Sequence, residues 1–257
     1  MRIALTGGAT GIGAATAARL KSTGCEITAF DIVKPQANVD TWIPLDLSSE
    51  ASIADAQESA AGPFDALINN AGLPPREGLG VKVLEVNYFG LKAFTEGMLD
   101  KLGDQAAIVN VASRAGAMWR QNIEQVKALM ALPDLSEIPD FLAANDIDHV
   151  RAYDLSKEAV IVWTMANTER LIARGLRANT VSPAAVSTGI LDDFLVAFGA
   201  RAAKSIARAG RPGTAEEIAD VISFLASPQS RWLKGIDITI DGGMSAMAQS
   251  GMLDLNG

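Results

Sequence analysis

The chain opens with Ile3-Ala4-Leu5, a short apolar run, followed at once by Thr6-Gly7-Gly8-Ala9-Thr10-Gly11-Ile12-Gly13 and by an alanine-rich stretch, Ala14 to Lys21. A buried strand, a glycine-rich turn and a helix opening on that turn form a phosphate-binding device. Gly7 permits the tight turn, Gly11 lets backbone N–H groups approach a pyrophosphate, and Gly13 lets the helix sit close to the strand. The spacing is G-x-x-x-G-x-G, not the commoner G-x-G-x-x-G. A second strand, Cys25 to Phe30, ends in Asp31, 18 residues beyond Gly13. That is near the offset at which a dinucleotide fold places an acid on the ribose 2′-hydroxyl. An NADP phosphate would meet a like charge there, so NAD is the expected cofactor, with Lys34 close by.

The pattern then repeats. Trp42 to Leu45 leads to Asp46-Leu47, and Ser48 to Ala61 reads as a helix capped by Ser48 or Ser49. Phe64 to Ile68 is a strand closed by Asn69-Asn70-Ala71-Gly72, and Val83 to Leu102 reads as one long helix containing Asn87. Ala106 to Ala112 is a near-continuous apolar strand, of the kind buried on both faces of a parallel sheet, and it ends at Ser113. Tyr153 opens a helix running to about Ala173, with Lys157 one turn on and on the same face. Arg177 to Ser182 is a strand stopped by Pro183. Thr188 to Ala209 is an irregular helix, Thr214 to Ala226 a helix with a Thr214…Glu217 capping box, and Gly235 to Ile240 a last strand. Strands alternating with helices at this pace predict a single α/β domain over residues 1–257, a doubly wound parallel sheet of Rossmann type.

Composition excludes several functions. Thirty acidic against 22 basic residues give a formal charge of −8, a poor match to nucleic acid. The single cysteine, Cys25, permits no intrachain disulfide and fits a reducing compartment. His149 is the only histidine, so a His-rich metal site is impossible and no metal is expected. The first strand starts too early to leave room for a signal peptide, and no apolar run is long enough to span a membrane. A cytoplasmic protein without a membrane partner is the expectation.

Together, Thr6 to Gly13, Asn69-Asn70-Ala71-Gly72, Asn87, Ser113, Tyr153-x-x-x-Lys157 and Asp241-Gly242-Gly243 resemble the short-chain dehydrogenases/reductases, in that family's order and over essentially the whole chain. The resemblance implies that Tyr153 is the acid/base. Lys157 would lower its pKa and bind the ribose hydroxyls, Ser113 would hydrogen-bond the reacting oxygen, and Asn87 would hold a water relaying protons to Lys157. For NAD it implies Gly7, Thr10, Gly11, Ile12, Gly13, Asp31, Asp46, Leu47, Asn70, Ala71, Gly72, Tyr153, Lys157, Pro183, Val186 and Thr188. The chemistry is coherent: losing hydride from a secondary alcohol requires a base for its proton, and free tyrosine, with a pKa near 10, needs tuning to serve.

The chain departs from the family pattern in three places. Only fifteen positions separate Gly72 from Asn87, so the helix usual there should be shrunken or absent. Ser113 and Tyr153 are 40 positions apart, which leaves an insert, 114–152, with plausible helices at Trp119 to Met130 and after Pro139. The usual Pro-Gly is Pro183-Ala184 here. This combination resembles the subgroup containing bacterial 3α-hydroxysteroid dehydrogenase/carbonyl reductase, and coniferyl-alcohol dehydrogenases are similar in the same regions. The implied activity is interconversion of a secondary alcohol and a ketone on a bulky apolar substrate, such as a steroid. An aryl or cinnamyl-type primary alcohol dehydrogenase and a non-catalytic NAD(H) sensor or scaffold are the alternatives. Met118, Trp119, Phe194 and Phe198 are the candidate substrate wall, with the insert a lid, packing on the domain, or a subunit interface. A homodimer or homotetramer is expected, with its usual helix-pair interface open to obstruction by the insert. The tail from Met244 to Gly257 either closes a pocket or reaches a neighbour.

Overall fold

The computed structural model describes residues 1–255, the side chain of Arg201 excepted; Asn256 and Gly257, the end of the expected tail, lie outside the described residues. The chain runs β1 (Arg2–Thr6), α1 (Gly11–Lys21), β2 (Glu26–Asp31), β3 (Thr41–Pro44), α2 (Glu50–Ser59), β4 (Phe64–Asn69) and α3 (Gly80–Leu84). A π-helical segment (Glu85–Gly90) leads into α4 (Leu91–Met98), then β5 (Leu102–Val111), α5 (Ile123–Met130), α6 (Ile138–Ala144), α7 (His149–Ala166) and α8 (Thr168–Ala173). β6 (Arg177–Pro183), β7 (Val186–Ser187), α9 (Leu191–Ala209), β8 (Gly213–Thr214), α10 (Ala215–Ala226), β9 (Asp237–Ile240) and α11 (Met244–Met252) complete it.

Seven parallel strands form the central sheet in the order β3-β2-β1-β4-β5-β6-β9, and β7 and β8 pair separately. The chain winds outward one way through β2 and β3 and the other way from β4 onward. A crevice therefore opens beyond the carboxyl ends of β1 and β4, where such sheets bind ligands. Side chains on both faces are buried: Ile3, Leu5 and Ala66 join α1 and α10 on one side, and Phe30, Leu67 and Ile108 join α2 and α4 on the other.

Two close approaches fix the site's outline. A Cβ on Gly13 would stand 1.8 Å from the Gly7 carbonyl oxygen, so α1 packs against its own turn only with glycine there. A Cβ on Gly90 would stand 2.1 Å from the Leu47 carbonyl oxygen, and this lets the π-helical segment press on the strand end carrying Asp46 and Leu47.

The expected long helix from Val83 forms as one run from Gly80 to Met98 with a π turn inside it, and strand β5 begins at Leu102. The shrunken helix before Asn87 is α3, five residues long. Helix α7 starts at His149, ahead of Tyr153, because the Asp148 carboxylate caps it by accepting the Arg151 N–H at 2.7 Å. The Thr214–Glu217 capping box forms as the spacing predicts.

The insert is packed structure. Val126, Leu129 and Ile138 are fully buried against α7 and the π-helical segment, in a cluster that also takes up Trp119, Ile123 and Met130. Each such aliphatic side chain contributes about 1.5–3 kcal/mol on burial. Beside them, Arg151 Nη2 meets the fully buried Glu158 carboxylate at 2.6 Å, and Asn122 Nδ2 donates to its other oxygen at 2.6 Å. No helix among the described residues is long and apolar enough to cross a membrane.

Candidate active site

A cavity of about 690 Å³ lies over the carboxyl ends of the strands. Its floor is the glycine-rich turn. Gly7 adopts φ +69°, and a Cβ there would meet Ala71 Cα at 2.7 Å, so the turn lies directly on the strand end after β4. The Thr6 hydroxyl oxygen accepts the N–H groups of Asn70 and Ala71 at 3.0 and 3.1 Å, and Asn70 Nδ2 donates to the Gly7 carbonyl at 2.9 Å. At the N-terminus of α1, Thr10 makes no side-chain cap and the first turn holds no acidic residue. The first N–H groups of that helix are thus left for an anion in the cavity, which fits a pyrophosphate. Thr188 lines the cavity from the opposite wall, its methyl 3.5 Å from where a Gly11 Cβ would stand.

At one end, the Asp31 carboxylate accepts the N–H groups of Ala9 and Val33, each at 2.9 Å, and faces the cavity beside Ile32 and Val33. Asp46 also lines this end. The Ser48 hydroxyl and backbone N–H, at 2.7 and 2.8 Å, hold its carboxyl below the usual range.

At the other end, the Ser113 oxygen accepts the Ala115 N–H at 3.1 Å and pairs with the Tyr153 hydroxyl. The Ala115 bond uses the serine oxygen as acceptor, which leaves its proton to donate toward the Tyr153 oxygen, the direction that favours a phenolate. Lys157 Nζ donates to the Val111 carbonyl at 3.0 Å and lies 5.8 Å from the Tyr153 ring centre. Burial pulls Lys157 down to about 8. Burial also pushes the Tyr153 hydroxyl above its ordinary range, against the Ser113 hydrogen bond and with the Asp154 charge adding to the rise. Phe194 and Phe198 stand edge-on to the Tyr153 ring, with centroids at 5.4 and 6.4 Å, and shield it from water.

Gly7, Thr10, Gly11, Ile12, Asp31, Asp46, Leu47, Asn70, Ala71, Gly72, Ser113, Tyr153, Lys157, Pro183, Val186, Thr188, Phe194 and Phe198 all line the one cavity. Gly13 and Asn87 do not: Gly13 works through packing, and Asn87 is fully buried behind the wall. Asn87 Oδ1 accepts the Leu73 N–H at 2.7 Å, and its Nδ2 donates to the Leu73 carbonyl and the Ser156 hydroxyl at 3.0 and 3.3 Å. Its side chain pins the strand-end loop, while Gly72 lies between it and Lys157.

Met118 and Trp119, expected on the substrate wall, are absent from the lining. Trp119 turns onto the α7 cluster, with the Arg120 guanidinium 4.2 Å above its ring, and Met118 faces solvent. The insert supplies only Arg114 and Ala115 to the cavity, so it is not a lid over the site. Ile190, Ala202, Ser205 and Met244 fill the wall instead. Arg114 adjoins Ser113 in the sequence. Its Nε lies 3.4 Å from the Asp241 carboxylate, joining the end of β5 to the Asp241-Gly242-Gly243 turn.

A family model described as "short chain dehydrogenase" matches residues 2–125, and one described as "Enoyl-(Acyl carrier protein) reductase" matches residues 141–245. Coniferyl-alcohol dehydrogenase from Pseudomonas sp. strain HR199 is 35% identical over 247 residues, 95% of this chain and 96% of that protein. The chain belongs to the short-chain dehydrogenase/reductase family. A second family member, 3-alpha-hydroxysteroid dehydrogenase/carbonyl reductase from Comamonas testosteroni, is 32% identical over 259 residues, covering 95% of this chain and 96% of that one. Among solved structures, the 3-alpha-hydroxysteroid dehydrogenase from Pseudomonas sp. B-0831, complexed with NADH, superposes with a TM-score of 0.83 at 30% identity, over 97% of this chain and 99% of that one. As a short-chain dehydrogenase the chain is an oxidoreductase that binds NAD(H), which sets aside the non-catalytic sensor reading.

Proposed function

We propose that this oxidoreductase interconverts a secondary alcohol and a ketone on a bulky, largely apolar substrate such as a steroid or another polycycle, with NAD preferred over NADP. The observation that carries the reading is the meeting of Ser113 and Tyr153 in a cavity whose adjoining wall is Phe194, Phe198, Ile190, Ala202 and Met244. Bound NAD would accept a hydride from the carbinol carbon. Ser113 turns its hydroxyl proton to the reacting oxygen, and Tyr153 takes the hydroxyl proton in oxidation and returns it in reduction. Lys157, buried and poised near 8, holds the positive charge that favours a phenolate once the site is engaged. The amide of Asn87 keeps the strand-end loop in register with Lys157, and its implied part in a proton relay belongs to the same proposal.

The similarity to a coniferyl-alcohol dehydrogenase at 35% identity favours a second reading, a primary aryl alcohol dehydrogenase using the same groups. Absorbance of reduced nicotinamide, followed with NAD and a panel of steroid, cyclic secondary and cinnamyl-type primary alcohols, separates the two. Turnover on the bulky secondary alcohols supports the first reading, and turnover confined to the primary aryl alcohols replaces it with the second.

Within this proposal the protein works as a homodimer or homotetramer in the cytoplasm. Helix α5 lies across part of α7, so the subunits meet through another face. Sedimentation as a monomer at micromolar concentration contradicts the assembly.

A further inference from the structure

We propose that Arg76 and Asp193 form a latch that seats Phe194 against Tyr153 and thereby sets substrate affinity; the inference rests on the cavity beyond Tyr153 being the alcohol site. Arg76 lies on the loop between β4 and α3, just past the residues that line the cavity at Gly72 and Leu73. Asp193 lies in the first turn of α9, where a carboxylate also suits the helix dipole. Arg76 Nε and Nη2 donate to the two Asp193 carboxylate oxygens at 2.8 and 2.7 Å, a two-pronged pair spanning 117 positions of sequence. Among the described residues this salt bridge joins α9 to the opposite lip of the cavity.

Neither residue lines the cavity. Whatever the pair does to a substrate, it does through its neighbours, and the next residue is Phe194. Phe194 and Phe198 stack in parallel, 4° apart, and both meet the Tyr153 ring edge-on. Tyr153 is left 4% exposed. Directly after Phe198 the helix breaks at Gly199 (φ +49°, ψ −131°), a left-handed backbone that uncouples the aromatic half of α9 from the rest. Gly210, at φ +87°, ends the helix. Val196, on the same half, is 85% exposed, so this segment touches the body by one face only. A short helix with a hinge, one apolar face and one ion pair to the far lip is a lid, and the ion pair biases it toward closure.

Exposed pairs of this kind shift an equilibrium by about two- to fivefold. In the NAD-bound enzyme, Asp193→Asn should raise KM for the alcohol by about three- to fivefold and change kcat less than about twofold. NADH affinity should be unaffected. Phe194→Ala should raise KM as well, and adding Asp193→Asn to it should cost nothing more. The charge-swapped double variant, Arg76→Glu with Asp193→Arg, should restore KM. Hydrogen exchange supplies a readout that needs no substrate: amides of 191–198 should exchange faster in Asp193→Asn and return in the swapped variant. Unchanged exchange, or additive effects of Asp193→Asn and Phe194→Ala on KM, would overturn the latch. Accelerated exchange with no alcohol of the panel turned over would uphold the latch and count against the substrate reading instead.

Discussion

Lys157 Nζ donates to the carbonyl oxygen of Val111 at 3.0 Å, so the buried ammonium of α7 is tied to the last residue of β5, two positions before Ser113. Helix and strand thereby hold Lys157, Ser113 and Tyr153 as one unit. This rigidity has an electrostatic cost, because an ammonium with one carbonyl partner has lost most of its water.

That cost sets a pH dependence. Burial lowers Lys157 from 10.5 to about 8 in the folded chain. Below pH 8 both folded and unfolded states hold the proton, and the penalty is felt in full. Between about pH 8 and 10.5 only the unfolded state holds it, so stability rises with pH across that window. Lys157→Met removes the penalty. Its advantage over the parent protein in urea unfolding at pH 7.5 should shrink by about 2–3 kcal/mol by pH 10. A difference constant with pH contradicts the assignment.

Asp31 accepts the Ala9 N–H from the same turn that would carry the pyrophosphate, so its carboxylate stands at the place where a 2′-phosphate would arrive. Asp31→Ala should relax the preference for NAD over NADP by about tenfold or more, since it deletes a like charge. The ratio of kcat/KM for the two cofactors measures this, and an unchanged ratio counts against Asp31 as the discriminator.

The fully buried Glu158 has the Arg151 guanidinium and the Asn122 amide as its partners. Removing the guanidinium leaves an uncompensated carboxylate. Arg151→Met should destabilise by about 3–5 kcal/mol. Adding Glu158→Gln should recover most of that loss, because a neutral amide no longer needs a cation. Chemical denaturation of both variants checks this; a loss under about 1 kcal/mol for Arg151→Met would show that the pair does not hold the insert.

How far the sequence discloses this molecule follows from the range of the forces involved. The apolar runs of β1, β4 and β5 have to be buried on both faces, and their alternation with helices leaves little choice but a parallel sheet. The Thr214 capping box is local and was readable for that reason. Helix α7 begins ahead of the expected Tyr153 because the Asp148 carboxylate, an ordinary polar group in the sequence, accepts the Arg151 N–H. The π turn at 85–90, and the Gly90 approach to Leu47 at its end, leave no trace in local periodicity. Trp119 was misplaced for a related reason. An amphipathic helix shows that it has an apolar face but not which surface receives it, and here α7 receives it rather than the substrate cavity. Arg76 and Asp193, far apart along the chain, carry no motif that pairs them.

Tyr153, as the group that moves the proton, is the centre of the proposed chemistry. The most direct test compares the parent protein with Tyr153→Phe in the absorbance assay with NAD and whichever alcohol of the panel is turned over, alongside NADH binding followed by fluorescence. Turnover should fall by at least about a thousandfold while NADH affinity stays within about twofold, as expected when a proton-transferring group is removed from an intact cofactor site. Turnover that survives in Tyr153→Phe would contradict that role for Tyr153.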